Sequence, residues 1–220
     1  MKIISLSYDE AGYACAIAST IKNNYYYDQI YKTNFFDYLV VSMTTINEIF
    51  TLKNLNFLKN NFHFSLSHID TTIVQWKNFH KLISYHDLKK KPNHNDLILF
   101  ENKYLRRYFR LINSVYEEDI IFFIRYGKTP LDEIKQFILN IKIINPNIII
   151  YFINVDYDTK FKDNIIYNDI ENYIYINFYL INQSNTIKHD DKFYEILEYN
   201  WNFVFTLIDN NYNLFLKNKK

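Results

Sequence analysis

Apolar runs separated by short polar segments divide the chain into predicted strands and helices. Residues 3–6 form a short apolar run that predicts a buried first strand, and residues 11–21 follow with apolar positions at helical spacing. A further apolar stretch at residues 34–42, strand or turn, leads into a helix predicted near residues 44–50. Residues 61–76 alternate between apolar and polar positions, which predicts one or two short strands.

The middle of the chain predicts a strand–helix–strand unit. Apolar runs at residues 119–126 and 147–155 flank a segment of helical spacing at residues 131–141. Because runs that are apolar throughout are typical of strands buried on both faces, they predict a parallel sheet covered by helices. A further run at residues 173–180 could extend this sheet.

Two longer helices are predicted on either side of this unit. One follows a lysine-rich break and is expected to be capped by Asn95 or Asp96, and the other covers residues 190–207. The tail, residues 210–220, is expected to fray. We therefore predict a single α/β domain over residues 1–220, a Rossmann-like three-layer domain with a mainly parallel sheet.

The charge balance argues against two classes of partner. The chain carries 25 basic and 24 acidic residues, a net charge of +1, whereas proteins that bind nucleic acid or anionic membranes over their surface usually have a marked basic excess. With 49% hydrophobic and 19% aromatic residues the bulk of the chain is not expected to be disordered. The abundance of Asn, Ile, Lys, Tyr and Phe is typical of an AT-rich coding sequence.

Cysteine usage and the apolar runs predict a cytoplasmic, intracellular protein. The single cysteine, Cys15, excludes an intramolecular disulfide and a cysteine-based zinc cluster, and it is typical of a reducing compartment. The apolar run near the N-terminus is too short for a signal peptide, and no run approaches the roughly 18 residues of a spanning helix.

The loop after the first predicted strand carries candidate chemistry. It contains Asp9, Glu10 and one of only two glycines, Gly12, and Cys15 follows in the first turns of a helix. Ligands bind at the carboxyl ends of parallel strands, and a helix N-terminus lowers the pKa of a thiol. The alternative, which we favour for Cys15, is an ordinary turn capped by Asp9 with a small cysteine in the core.

All four arginines lie in one window of the chain, while the other 21 basic residues are lysines. Arg107 and Arg110 share a helix face with the spacing of three residues, and Arg125 lies near the end of the following predicted strand. Guanidinium groups are suited to bidentate binding of phosphate or carboxylate. A solvated helix face whose arginines pair with nearby glutamates is an equally weighted alternative.

His86 and Asp87 form an adjacent histidine–carboxylate pair, in which the carboxylate could orient the imidazole if the chain turned suitably. The other histidine spacings suit no common metal site, and motifs for phosphate loops, zinc peptidases and serine hydrolases are missing, so we predict no metal and no cofactor. Asp37, in a short apolar stretch, is predicted to hold backbone amides and to have a structural role.

Five fragments of the chain, in this order, carry a resemblance to a known family: residues 5–10 (SLSYDE), 35–38 (FFDY), 86–87 (HD), 103–110 (KYLRRYFR) and 123–125 (FIR). They resemble the pattern of a poorly characterised family of bacteria and large DNA viruses that is named for papain-like cysteine peptidases. That family opens with Ser-Leu-Gly-x-x-Cys and continues with Pro-Phe-Asp-Trp, His-Asp, an arginine-rich helix and a Phe-Ile-Arg strand. The resemblance covers roughly residues 3–126.

The resemblance implies a cysteine peptidase site with His86 as base and Asp87 as the group that orients it. The glycine of the family pattern corresponds to Ser7 and its cysteine to Glu10, so this member is expected to have a degenerate nucleophile unless Cys15 substitutes for it. A carboxylate does not perform thiol acylation. A papain-type fold would also place the histidine in an antiparallel β domain.

Three hypotheses follow. The first is a relative of cysteine peptidases, possessing Glu10 or Cys15 at its site and acting on a peptide. The second is a Rossmann-like transferase or hydrolase that binds a phosphorylated or nucleotide-linked small molecule through Asp9 and the arginines. The third is a non-catalytic protein whose arginine window binds an acidic partner. The sequence predicts no oligomeric state.

Overall fold

The structure of the protein, a computed structural model, contains two β-sheets and the helices that cover them. It describes residues 1–7, 16–23, 31–52, 55–59, 61–66, 71–127, 129–157, 166–170, 173–180 and 192–219. Within these residues the fold is mixed α/β, with one sheet that is mostly parallel and one that is antiparallel.

The first sheet has the strand order β1–β6–β7–β9–β8. Its strands are β1 Lys2–Ser5, β6 Ile120–Tyr126, β7 Ile149–Tyr157, β8 Ile166–Ile170 and β9 Tyr173–Leu180. β1, β6, β7 and β9 run parallel, and β8 pairs with β9 as an antiparallel edge. The predicted strand–helix–strand unit is confirmed, as is the extension of the sheet by residues 173–180.

The central strand β6 is buried on both faces of the sheet, which explains its long apolar run. All seven residues of β6 are buried. Ile121 and Phe123 point into one apolar cluster, and the alternate residues Ile120 and Phe122 point into another on the opposite face. Side chains that face water would be expected at every second position of an antiparallel strand with one open face, and β6 has none.

The second sheet is antiparallel, with the order β2–β5–β4–β3. Its strands are β2 Leu39–Val41, β3 Phe62–Leu66, β4 Thr71–Trp76 and β5 Leu82–Lys89. The expectation of a mainly parallel sheet therefore holds for the first sheet alone. β4 shows the alternation typical of a strand with one buried face. β5 escaped prediction because Ser84, His86 and Asp87 interrupt its apolar residues.

The helices are α1 Ala16–Asn23, α2 Met43–Thr51, α3 His94–Glu117, α4 Leu131–Ile144 and α5 Lys192–Asn218, with a 3-10 turn at Leu55–Leu58. α3 begins earlier than expected, because Asn93 is its N-cap; Asp96 instead completes a reciprocal capping box. α5 continues through the tail that was expected to fray. Tyr212 and Phe215 of this helix pack against the second apolar cluster, and Lys219 pairs with Asp119.

The two sheets share one core. The first apolar cluster contains Ile4 and Phe152 of the parallel sheet together with Val74 and Trp76 of the antiparallel sheet. Tyr104 of α3 lies between them, 5.1 Å from the Trp76 ring centroid. Among the described helices none is long and apolar enough to cross a membrane.

The cap of α3 generates a direct test. The Asn93 side chain accepts a hydrogen bond from the Asp96 amide at 3.0 Å. We expect Asn93→Ala to lower the free energy of unfolding by about 1 kcal/mol, because this amide loses its acceptor. Asn95→Ala is the matched control; it lies inside the first turn, where alanine favours the helix, and we expect no loss.

Chemical denaturation of both variants measures the two free energies of unfolding. Equal losses in the two proteins, or a larger loss in Asn95→Ala, would contradict the assignment of the cap to Asn93.

Candidate functional site

The backbone departs from the extended conformation at Ser7, two residues after strand β1 ends. After β1 it stays paired with β6, because the Leu6 amide donates to the Ile124 carbonyl at 2.7 Å and the Tyr126 amide donates to the Ser7 carbonyl at 3.2 Å. Ser7 then adopts a φ of 57°, in the left-handed region that favours glycine, and its hydroxyl donates to the Leu39 carbonyl. This edge of the sheet is the carboxyl edge, where open α/β folds bind ligands.

A fully buried carboxylate, Asp37, organises the segment before β2. It accepts hydrogen bonds from the Tyr31 hydroxyl at 2.5 Å, the Asn34 amide at 2.7 Å and the Asn34 side chain at 2.9 Å. Burial raises the pKa of Asp37 from 3.8 to about 7, against the opposing effects of these hydrogen bonds, the Arg107 charge and the Ser5 hydroxyl. The predicted structural role is confirmed, because Asp37 holds a backbone amide.

Arg107 of α3 lies close to this carboxylate. Its charge lowers the pKa of Asp37 and of Tyr31, although burial dominates both and raises them. The guanidinium carbon lies 5.5 Å from the centroid of the Tyr104 ring. The side chain is partly buried, and within the described residues its Nη1 is fully enclosed and has no hydrogen-bond partner. An enclosed guanidinium nitrogen without an acceptor is rare in folded proteins.

Asp87 of β5 is held by two residues of α3, Lys103 and Tyr104. It accepts hydrogen bonds from the Lys103 ammonium and the Tyr104 hydroxyl, and from the Ser84 hydroxyl at 2.6 Å. Burial raises the pKa of Asp87, but the hydrogen bond and charge of Lys103, with the two hydroxyl groups, outweigh it and leave the pKa lowered. The arrangement ties β5 to α3.

His86 and Asp87 are adjacent in β5, but their side chains have different surroundings. The pairing of β5 with β4 is irregular between Ser84 and Leu88, and there Asp87 binds Lys103 and Tyr104 of α3 while His86 is exposed. Among the described residues no hydrogen bond joins the two side chains, and the ring of Tyr85 lies 6.4 Å from that of His86. The described contacts of Asp87 are with Ser84, Lys103 and Tyr104, and the predicted orientation of His86 by Asp87 stays a prediction.

Arg110 and Arg125 use their guanidinium groups within the fold. The Nη1 of Arg110 donates to the Thr33 carbonyl at 2.6 Å. Arg125, only 3% exposed, donates to the carbonyls of Leu6 at 2.9 Å and Val41 at 3.0 Å. The two contacts of Arg125 explain why arginine rather than lysine stands at that position, since one planar group must reach two fixed carbonyls.

The predicted residues Asp9, Glu10 and Cys15 lie outside the described residues, so their roles stay predictions.

Two clefts open on the described surface. One, of about 330 Å³, is lined by Asp87 and Lys103 together with the ion pair of Lys89 and Asp96, whose atoms are 2.9 Å apart. The other, of about 400 Å³, lies at the amino edge of the parallel sheet beside the end of α5. Neither contains an arginine, and the described residues include no cluster of side chains suited to a metal ion.

Several residues of the candidate site were not found by sequence reasoning. Tyr31 and Asn34 complete the Asp37 network, and Ser84 and Tyr104 complete the Asp87 network. Asn34 carried a local signal, because an asparagine side chain often accepts from the amide two residues later, as Asn34 does here from Phe36 at 2.9 Å. The others are brought together by the tertiary fold alone.

Comparison of the chain with protein-family models, with curated proteins and with solved structures gave no match.

The raised pKa of Asp37 predicts a pH dependence of stability. The folded state binds this proton more tightly than the unfolded chain, so between about pH 4 and pH 7 it holds more protons and its stability falls as pH rises. As pH rises across that window, we expect the free energy of unfolding of wild type to fall relative to that of Asp37→Asn, by roughly a few kcal/mol at most. Above pH 7 the difference between the two proteins should stay constant.

Asp87→Asn is the contrasting variant, because the pKa of Asp87 is lowered. The contribution of Asp87 to stability is present above the pKa of the unfolded chain and is lost as pH falls through the pKa of the folded state. The difference in free energy of unfolding between Asp87→Asn and wild type should therefore change below about pH 4 only. Urea denaturation at several pH values measures both differences. A difference between wild type and Asp37→Asn that does not change from pH 4 to 7 would refute the assignment.

Proposed function

We propose that this protein binds an anionic, phosphorylated or nucleotide-linked small molecule at the carboxyl edge of its parallel sheet, and that Arg107 provides the positive charge. In this proposal the chain is a Rossmann-like three-layer domain with transferase or hydrolase chemistry. The observation that carries the proposal is the enclosed Nη1 of Arg107, which has no hydrogen-bond partner among the described residues.

The surroundings of Arg107 favour an external anion. In the described part of the chain no carboxylate lies within ion-pair distance of its guanidinium, although Asp37 is close enough for its pKa to respond. The oxygens of Asp37 already accept from Tyr31 and Asn34. Arg107 therefore keeps a charge and an unused donor, and a phosphate or carboxylate is the group that a guanidinium binds most strongly.

The position of Arg107 supports the same proposal. The hydroxyl of Ser5, the last residue of β1, also lowers the pKa of Asp37 and therefore lies near this carboxylate. This places the guanidinium near the carboxyl end of a parallel strand, where ligands bind in open α/β sheets. Helices on both faces, with Phe137 of α4 in one cluster and Ile208 of α5 in the other, support the three-layer description.

We also propose that the chain is a divergent member of the papain-like cysteine peptidase family that it resembles. The matching fragments contact one another: Arg125 donates to Leu6, and Tyr104 donates to Asp87. The glycine of the family pattern falls on Ser7, whose positive φ is one that glycine adopts readily. If these fragments belong to one family pattern, they are expected to lie close together in the fold although they are distant in sequence.

Peptidase chemistry is not part of the proposal. The family cysteine corresponds to Glu10, and His86 is exposed while Asp87 binds Lys103 and Tyr104 of α3. A cysteine peptidase needs a histidine that reaches its nucleophile and a third group that orients the imidazole. The orienting contact is missing within the described residues, so a binding or transfer reaction suits the site better than acyl transfer.

Removal of the Arg107 charge tests ligand binding. We expect nucleotide sugars such as UDP-glucose, or inorganic diphosphate, to raise the unfolding temperature of wild type, and Arg107→Gln to lose most of this shift because the anion loses its charged partner. Arg106→Gln is the matched control, since Arg106 is exposed on the same helix and carries the same charge.

Differential scanning fluorimetry with and without each ligand measures these shifts. If Arg107→Gln is stabilised by the ligands as strongly as wild type, or if none of them stabilises wild type, the proposed function fails. Turnover of a ligand that binds would then separate an enzyme from a protein that only binds.

The reactivity of Cys15 tests the rejected peptidase chemistry. We expect a thiol-reactive probe to label Cys15 at neutral pH no faster than it labels free cysteine, and we expect His86→Ala to leave that rate unchanged, because an exposed His86 on β5 gives no activated thiolate. Stopped-flow labelling gives the rate. Faster labelling that slows in His86→Ala would restore the cysteine peptidase hypothesis.

A further inference from the structure

The turn between β6 and α4 contains a buried hydroxyl group with no partner. Thr129 is 8% exposed, and its Oγ1 is enclosed without a hydrogen-bond partner among the described residues. It directly precedes Pro130, the N-cap of the 14-residue helix α4. A hydroxyl group is rarely buried unsatisfied, because the loss of its water contacts is unfavourable.

The helix that follows also has unused donors at its start. Pro130 gives no side-chain cap, and the amides of Leu131 and Asp132 donate to no acceptor within the part of the chain that the structure describes. Most helices satisfy these first amides with a side chain or with solvent, and an anion is the third common solution. Three residues within four positions of the chain therefore provide two amides and one hydroxyl group that have no acceptor among the described residues.

The turn is held at the carboxyl edge of the parallel sheet. β6 ends at Tyr126, and Gly127 follows with a φ of 91°, which glycine alone adopts readily. The Gly127 amide donates to the Val155 carbonyl of β7 at 2.7 Å. The start of α4 is thus fixed beside the ends of β6 and β7, on the same edge as the site proposed around Arg107.

We propose that this turn is a phosphate subsite, formed by the Thr129 hydroxyl and the amides of Leu131 and Asp132. The subsite rests on the proposed function for the identity of its ligand, a phosphorylated or nucleotide-linked molecule. The donors that form it are independent of Arg107. A strand that leads through a glycine turn into a helix N-terminus presents amides and the positive end of the helix dipole to a phosphate group.

The acidic residues of the first turn oppose this binding in part, and they supply a test. The Glu133 carboxylate accepts from the Thr44 hydroxyl at 2.9 Å, and its backbone carbonyl accepts from the Asn47 side chain at 3.0 Å, so α2 engages it. Asp132 is exposed. A phosphate group at the start of α4 is repelled by this charge, so Asp132→Asn should bind phosphate more tightly.

The experiment uses the full chain and two probes, inorganic phosphate and UDP-glucose. Amide signals in ¹H–¹⁵N NMR spectra report binding at the turn directly, and calorimetry gives the affinities. We expect phosphate to shift the signals of Gly127, Leu131 and Asp132 in wild type. We expect Asp132→Asn to strengthen binding by roughly two- to five-fold, because one neighbouring like charge is removed.

Two variants remove the proposed donors while the fold is kept. Leu131→Pro removes one amide at the first helical position, where proline is tolerated, and Pro130 already has the φ of −59° and ψ of 136° that a residue before proline requires. Thr129→Val removes the hydroxyl group at constant volume. We expect each to weaken phosphate binding roughly ten-fold, because a hydrogen bond to a charged group is lost.

The controls separate this subsite from the Arg107 site and from a structural role. Thr206→Val changes an exposed threonine and should bind like wild type. Thr129→Val should also unfold at the same temperature as wild type or higher, since it removes an unsatisfied group. Loss of phosphate binding in Leu131→Pro but not in Arg107→Gln would support the subsite even if the proposed function failed. Unchanged phosphate affinity in both Leu131→Pro and Thr129→Val, or no shift of the turn amides in wild type, would overturn it.

Discussion

A buried guanidinium group joins the two sheets of this protein. Arg125, on β6, donates to the Leu6 carbonyl just after β1 and to the Val41 carbonyl at the end of β2. Burial of a positive charge is unfavourable unless its donors are satisfied, and here the charge satisfies two carbonyls at strand ends. The shared apolar core depends on this junction, since Leu6 and Val41 both belong to it. Lysine has no fork that reaches both carbonyls.

Helix α3 extends that junction with a row of polar side chains at spacings of three and four. Lys103 and Tyr104 bind Asp87 of the antiparallel sheet, and Arg110 binds the Thr33 carbonyl in the segment that Asp37 organises. Arg107 lies between these contacts and has a cation–π contact but no hydrogen bond within the described residues. Lys103, Tyr104 and Arg110 all bind groups of the protein, whereas the unused donor of Arg107 is available to the anion that we propose as its ligand.

The parts of this fold that could be predicted are those in which local sequence and burial agree. β6 and β7 were predictable because each begins with a run of consecutive apolar residues that are buried on both faces of the sheet, whereas β5 was not, because its polar residues bind α3 or face water. The cap of α3 depends on backbone angles at Asn93 that neighbouring polar residues do not reveal. Adjacency of His86 and Asp87 suggested chemistry, but Asp87 binds Lys103 and Tyr104 of α3, contacts that only the tertiary fold creates. Asp37 was predictable in role, and its partner Tyr31 was not, because that contact is tertiary.

The restriction of arginine to one window has a physical explanation that differs from residue to residue. In a chain whose other basic residues are lysines, Arg125 and Arg110 stand where a planar donor must reach a backbone carbonyl. Arg106 is exposed and shows no such need. Arg107 combines partial burial, the face of Tyr104 and an enclosed nitrogen without an acceptor. A fold that needed a positive charge alone at this position could have used lysine, whereas a guanidinium suits the oxyanion ligand that we propose for Arg107.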